Sequence, residues 1–355
     1  MKSITGEYGT IHFDEAGYQA MNNLIASGSF SSIFVLVDSN THEYCLPYFL
    51  SRLETDVRTE VMEMEPGEEH KNLETCWGVW EALNEYGADR KSLMINLGGG
   101  VVTDLGGFVA STFKRGIRFI NVPTSLLAMV DASIGGKTGV DLGVLKNQIG
   151  VINMGDMVLI DTGYLETLPE NHMRSGMAEM FKHGLIADAA YWKTMAESRE
   201  ITMKTMDALI YDSVGIKYQI VQEDPMEHSI RKALNFGHTL GHAIESYFLD
   251  QDDRNSLLHG EAIAVGMIME TYLSVKICGL PMQDADHIKS VLLGTFDRVD
   301  FNEHDKPAII ELLKHDKKNV SGMVNFVLLP LTGSFKLDCQ AGNALILEAF
   351  DYYEN

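Results

Sequence analysis

The feature that most constrains this chain is a unit repeated four times in its first half, a short apolar run that ends in an acid, a glycine turn or a small polar turn. Residues 33–38 (Ile-Phe-Val-Leu-Val-Asp) lead into Ser39-Asn40-Thr41, and residues 92–96 lead into Gly98-Gly99-Gly100. Residues 119–122 lead into Pro123-Thr124-Ser125, and residues 157–160 end at Asp161. Such runs are too short for helices, and apolar residues at successive positions mark strands buried on both faces, as in a parallel sheet. Helical stretches at residues 73–86 and 102–113 separate them. Strand and helix in alternation predict an α/β fold with an open parallel sheet, whose ligands bind beyond the carboxyl ends of the strands.

After about residue 165 the periodicity changes. From 175 to 247 and from 259 to 278 apolar positions recur at helical spacing, so the second half reads as mostly α-helical, with a late strand or hairpin at 324–329. A length of 355 residues suits two domains, here placed at 1–166 and 167–355. The net charge of -22 opposes binding to nucleic acid or anionic membranes. Residues 1–13 lack the apolar core of a secretory signal, and no run of eighteen apolar residues could span a bilayer. The four cysteines form no CxxC pair, which argues against a disulfide framework or thiolate zinc site and for reduced thiols in a cytoplasm.

Three motifs carry chemistry. In Gly98-Gly99-Gly100-Val101-Val102-Thr103-Asp104 the backbone at a strand-to-helix turn can approach a pyrophosphate, toward which the following helix amides point. The plainer reading is a tight turn needing positive φ, and the spacing is not the GxGxxG fingerprint. Gly135-Gly136-Lys137-Thr138-Gly139 is not a nucleotide-triphosphate loop, because Asp131 stands where that loop needs glycine. Lys137, with Lys146 and Asn147 nearby, is either a phosphate contact or a solvated loop cation. In residues 235–245 (Asn-Phe-Gly-His-Thr-Leu-Gly-His-Ala-Ile-Glu), read as helix, His238 and His242 share one face. Gly237 and Gly241 share the adjacent face, where another backbone could come close.

Such a histidine pair suits a metal better than a core filled with satisfied histidines. Glu179 and His259 could complete a shell of one carboxylate and two imidazoles, which leaves positions open as catalytic sites require. The residues alone leave the choice among His183, His238, His242 and His259 open, and the absence of HExxH removes a zincin protease. Lys71, Arg115, Lys137, Lys146, Lys182, Lys217, Arg231, Lys317 and Lys318 each read singly as surface charges. Several lie within or beside the motifs, and in so acidic a chain an anionic ligand needs such cations gathered.

Taken in order, GGGVVTDLGGF, RGIRFINVPTSLLAMVDASIGGKTGVDLGVLKNQIG, SGMAEMFKHGLIAD, RKALNFGHTLGHAIE, HGEAIAVGM and HDKKN resemble the dehydroquinate synthase family of sugar-phosphate cyclases. The resemblance covers most of residues 33–330. It implies a Rossmann-like domain that holds NAD and a helical domain that binds a divalent metal, zinc or cobalt. Asp38, Asn40, Glu68 and Lys71 would contact the adenosine half of NAD, and Gly99, Gly100, Val101 and Asp104 its pyrophosphate. Thr124, Ser125, Lys137, Lys146 and Thr167 would add cofactor contacts.

By the same resemblance Glu179, His238 and His259 would be the metal ligands, with His242 a proton relay and phosphate contact. Asp131, Lys182, Lys217 and Asn235 would hold substrate hydroxyls, and Arg231 the substrate carboxylate. Phosphate would meet Lys137, Asn147, one of Lys317 and Lys318, and Arg115 from a neighbouring subunit of a homodimer. The implied activity converts 3-deoxy-D-arabino-heptulosonate 7-phosphate, an anionic sugar phosphate, to 3-dehydroquinate and phosphate in the shikimate pathway. Its steps would be transient oxidation by NAD, phosphate elimination, reduction, ring opening and aldol closure.

Two departures from the family pattern are a missing proline in residues 151–157 and a long polar linker, 250–258, before His259. Among rivals, the iron-dependent alcohol and glycerol dehydrogenases place an aspartate where Glu179 stands and have no need of Lys217, Arg231 and Asn235. Deoxy-inosose and valiolone synthases act on sugars that would leave Arg231 without a carboxylate, at a desolvation cost of a few kcal/mol. An inactive NAD-binding protein would not need Glu179, His238 and His259 together.

Overall fold

The computed structural model describes residues 1–143, 145–198, 203–251, 256–313 and 324–355, so the candidates Lys317 and Lys318 lie outside the described residues. Two compact units result: Met1–Met173 with Lys217–Pro225, and Arg174–Ile216 with Met226–Asn355.

The first unit contains the strands β1 (Ile4–Gly6), β2 (Gly9–Phe13), β3 (Ile33–Asp38), β4 (Thr59–Met64), β5 (Leu93–Gly98), β6 (Arg118–Pro123), β7 (Lys137–Leu142), β8 (Leu145–Ile152) and β9 (Met157–Ile160). All but β7 and β8 join one sheet in the order β1-β2-β9-β6-β5-β3-β4. Every pairing in it is parallel except β1 with β2. The four strands expected from apolar runs are the contiguous centre of this sheet, where β5 and β9 are buried at every residue. The chain steps from β3 outward to β4 and returns to β5 on the other side of β3, which puts the topological switch point between the carboxyl ends of β3 and β5. Leu36 pairs with Asn96, so Asp38 and Gly98 end level at that edge.

The helices Leu73–Glu85 and Gly100–Thr112 stand where periodicity placed them. The segment around Lys137 is not a loop: Gly135 and Gly136, at φ of +100° and +65°, turn the chain into the antiparallel β7–β8 pair. Here a strand follows the lysine where a nucleotide-triphosphate loop would enter a helix.

The second unit is mostly helical, with β10 (Val324–Leu328) and β11 (Lys336–Ala341) forming an antiparallel pair that contains the late strand. The helix read from Asn235 starts later, at His238. Residues Ile230–Asn235 form a 3-10 turn, and Gly237 adopts φ +78°, a left-handed conformation that a right-handed helix cannot contain. The helix His259–Cys278 is buried along most of its length and lies against His238–Leu249 at backbone distance. A Cβ on Gly266 would sit 2.0 Å from the Gly237 carbonyl oxygen, and one on Gly241 would sit 3.1 Å from Ile263 Cα. Among the described residues no helix is long and apolar enough to cross a membrane. All four cysteines are free.

Candidate active site

At the switch point the helix Gly100–Thr112 begins on Gly99 with no side-chain cap, so its first-turn amides are left for an anion beyond the strand ends. None of Gly98, Gly99 and Gly100 has positive φ, which removes the turn-conformation reading of these glycines. Room explains them instead. A Cβ on Gly98 would lie 2.5 Å from Val102 Cβ, and one on Gly99 would lie 3.3 Å from Ser125 Oγ. The amide of buried Thr124 donates to Gly98 O at 3.0 Å, tying the turn after β6 to the turn after β5. Val101 is half-buried in the first turn of the helix. Asp38 caps the short helix Ser39–Tyr44, accepting from Thr41 N at 2.8 Å, and Asn40 is exposed on its first turn. Thr167 is exposed, its hydroxyl donating to Tyr164 O at 3.4 Å, and no contact described here joins it to the glycine turn.

Five cofactor and phosphate candidates converge in one polar cluster. Buried Lys71 donates to Asp104 Oδ2 at 2.7 Å and to Asn147 Oδ1 at 2.8 Å, with Glu68 3.8 Å away. Lys146 lies 3.1 Å from Glu68 and 3.6 Å from Asp141. Asp141, which the sequence did not single out, accepts from Asn147 N at 2.6 Å. Burial alone would lower the pKa of Lys71, but the Asp104 and Glu68 carboxylates override it and hold the ammonium above its ordinary value. Lys71 therefore organises this acidic cluster. Lys217 Nζ donates to both the carbonyl and Oδ1 of Asp131 at 2.6 Å. Lys137 and Arg115 are exposed, Arg115 at φ +71°.

In the second unit the helix Glu170–Ala187 carries Glu179 and Lys182 one turn apart, fully buried and ion-paired. His238 Nε2 lies 3.4 Å from Glu179 Oε1, and His259 Nε2 lies 3.7 Å from it. Glu179 Oε2 meets the Lys182 ammonium, which leaves Oε1 facing the two imidazoles in a side chain wholly withdrawn from water. A buried carboxylate is costly unless cations face it on each side, and one ammonium covers only Oε2. The separations are those of neighbouring ligands on one ion, since bonds of about 2.0–2.2 Å set tetrahedral ligands roughly 3.3–3.6 Å apart.

Each ring has an oxygen acceptor beside Nδ1, with Nε2 toward Glu179. His238 Nδ1 lies 3.1 Å from Phe236 O, and His259 Nδ1 lies 3.1 Å from Glu245 Oε2. Burial would lower the pKa of His259, but Glu245 and Glu179 outweigh it and raise the imidazole to about 10. The pocket thus attracts a positive charge at the place where a divalent ion would displace that proton, and its donor set fits one. His242 belongs to the same group: His238, His242 and His259 bring one ring nitrogen each within 4.8 Å of one another. His183, on the Glu179 helix, is fully buried, with Nδ1 2.8 Å from Ser213 Oγ.

Arg231 is 1% exposed in the turn before Gly237, and Asn235 Nδ2 donates to Glu227 Oε1 at 2.9 Å and to Lys232 O at 3.1 Å. Among the described residues the buried lysines and arginines are Lys71, Lys182, Lys217 and Arg231, all candidates from sequence. Sequence reasoning missed two orienting acids. Glu245 was signalled by its i,i+3 spacing from His242. Glu270 was not, because only the folded packing shows it accepting from Gly237 N at 2.7 Å and Leu240 N at 3.1 Å.

Residues 61–175 match the family model described as 3-dehydroquinate synthase N-terminal, and residues 176–319 match the C-terminal one. A 3-dehydroquinate synthase of Parabacteroides distasonis is 40% identical over 336 residues, 94% of each chain. One of Clostridium botulinum is 38% identical over 304 residues, 85% of this chain and 86% of its own. Among solved structures, 2-deoxy-scyllo-inosose synthase complexed with carbaglucose-6-phosphate, NAD+ and Co2+ superposes with a TM-score of 0.83 at 25% identity, covering 98% of this chain and 97% of that one. An iron-containing alcohol dehydrogenase, at 12% identity and a TM-score of 0.68 over 99% of both chains, shares the fold.

Proposed function

The chain belongs to the 3-dehydroquinate synthase family, and from that premise we propose that it converts 3-deoxy-D-arabino-heptulosonate 7-phosphate to 3-dehydroquinate and phosphate, as a lyase of the shikimate pathway. The observation that carries the reading is Glu179, a fully buried carboxylate whose Oε1 is faced by the Nε2 atoms of His238 and His259.

Glu179, His238 and His259 would hold the divalent ion, and two imidazoles with one carboxylate accept zinc or cobalt. NAD would seat its pyrophosphate on the Gly99–Val101 turn, with Asp104, Thr124 and Ser125 around it and Asp38, Asn40, Glu68 and Lys71 toward the adenosine. When bound, NAD supplies transient hydride storage and the metal lowers the pKa of a substrate hydroxyl.

The protein's own groups fix the substrate. Arg231, nearly stripped of water, recognises the carboxylate as a paired donor, where desolvation strengthens the bond. Lys182, Lys217, Asp131 and Asn235 orient hydroxyls, and His242 holds a proton beside the phosphate. Lys137, Asn147, one of Lys317 and Lys318, and Arg115 from the neighbouring subunit of a homodimer bind the phosphate. Clamping both charged ends of one molecule removes much of the entropic cost of ring closure, up to about 7–11 kcal/mol in favourable cases. The enzyme works in the cytoplasm, where its thiols stay reduced.

Metal removal tests the reading. Dialysis against a strong chelator should abolish phosphate release, and zinc or cobalt should restore it. Full activity in the metal-free protein would overturn it.

A further inference from the structure

We propose that Glu245 is a positioning residue, which sets the tautomer and orientation of His259 for the metal while touching neither metal nor substrate. Glu245 Oε2 stands 3.1 Å from His259 Nδ1, with the Glu245 side chain only 10% exposed. A carboxylate can only accept, so Nδ1 carries the proton. The lone pair is then left on Nε2, the atom that faces Glu179 Oε1 at 3.7 Å. The Glu245 hydrogen bond at Nδ1 thereby turns the opposite edge of the ring toward Glu179.

The partner imidazole is held in the same tautomer by a different acceptor. His238 Nδ1 lies 3.1 Å from the backbone carbonyl of Phe236, which is neutral. His259 therefore has the charged acceptor, which makes its Nε2 the more basic donor toward a cation in a site largely screened from solvent. Position within the helix explains how this arises. Glu245 is three residues after His242 and seven after His238, so one face of the helix His238–Leu249 supplies a ligand, a relay and the group that aims the ligand of the adjoining helix. Sequence distance hides the link, since His259 begins a separate helix, His259–Cys278.

The proposal rests on Glu179, His238 and His259 being the ligands, and the test separates the two. Cobalt(II) is titrated into the metal-free full-length protein and into the Glu245→Leu, Glu245→Gln and His259→Ala variants, with affinity and the visible cobalt absorption both recorded. Glu245→Leu should bind roughly 10–100-fold more weakly, with an altered absorption spectrum. Glu245→Gln, whose amide oxygen can accept the same hydrogen bond without charge, should restore the wild-type spectrum and part of the affinity. NAD affinity and the unfolding midpoint of the metal-free protein should stay as in wild type. A leucine variant with wild-type affinity and spectrum would overturn the positioning role. So would a glutamine variant as impaired as leucine, or a loss of affinity matched by loss of metal-free stability. If instead His259→Ala binds cobalt as wild type does, the ligand assignment fails and the proposal falls with it.

Discussion

In the proposed function Arg231 recognises the substrate and His238 the metal, and each makes a separable prediction. Arg231 is 1% exposed, so a substrate carboxylate paired with it exchanges little with water. Arg231→Ala should cost about 1.5–3 kcal/mol of substrate binding, roughly tenfold to a hundredfold in KM. NAD affinity, measured by titration, should not change, and equal losses in both would place Arg231 elsewhere. His238→Ala removes one of two imidazoles facing Glu179, and the variant should retain its fold but emerge from dialysis without metal and without turnover. Metal content at the wild-type ratio would contradict the ligand assignment. These residues stand out in the sequence because their types are rare in combination: two histidines four apart with flanking glycines, and an arginine seven residues before the first of them. Lys71 was singled out from the sequence, but its partners Asp104 and Asn147 come from 33 and 76 positions away and only folding reveals them.

At the scale of elements, strands were readable in proportion to their burial. β3, β5, β6 and β9 are apolar in succession because both faces are covered, whereas β4 alternates exposed and buried residues and was missed. The edge strand β1 and its neighbour β2, short and partly exposed, carry the same weak signal. The glycines of the His238 helix were read as a surface for close approach, and the helix His259–Cys278 does approach at backbone distance. The start of that first helix was misplaced because the left-handed turn at Gly237 leaves no mark in periodicity. The close packing predicts a large penalty for one methyl group. In Gly266→Ala the new Cβ would meet the Gly237 carbonyl at 2.0 Å, costing about 1–3 kcal/mol or more. The helix-propensity gain of about 1 kcal/mol cannot offset this. Denaturant titration should show the loss, and unchanged stability would mean that the two helices are not held this closely.

For the whole molecule, charge distribution is the feature that composition conceals. A net charge of -22 opposes an anionic ligand at long range, yet among the described residues the four buried lysines and arginines divide between the units, Lys71 and Lys217 in one and Lys182 and Arg231 in the other. Lys71, Lys217 and Lys182 each pair with a carboxylate, and cations gathered in this way are what the proposed anionic substrate requires of so acidic a chain. On the proposed reading the glycine turn at the switch point and the Glu179, His238 and His259 group serve one reaction, in which the dinucleotide is restored within each turnover. The most direct test supplies 3-deoxy-D-arabino-heptulosonate 7-phosphate with substoichiometric NAD and a divalent metal, counting phosphate while following NADH absorbance. The account predicts phosphate in large excess over NAD with no accumulation of NADH, and NADH formed in proportion to substrate without phosphate release would contradict it.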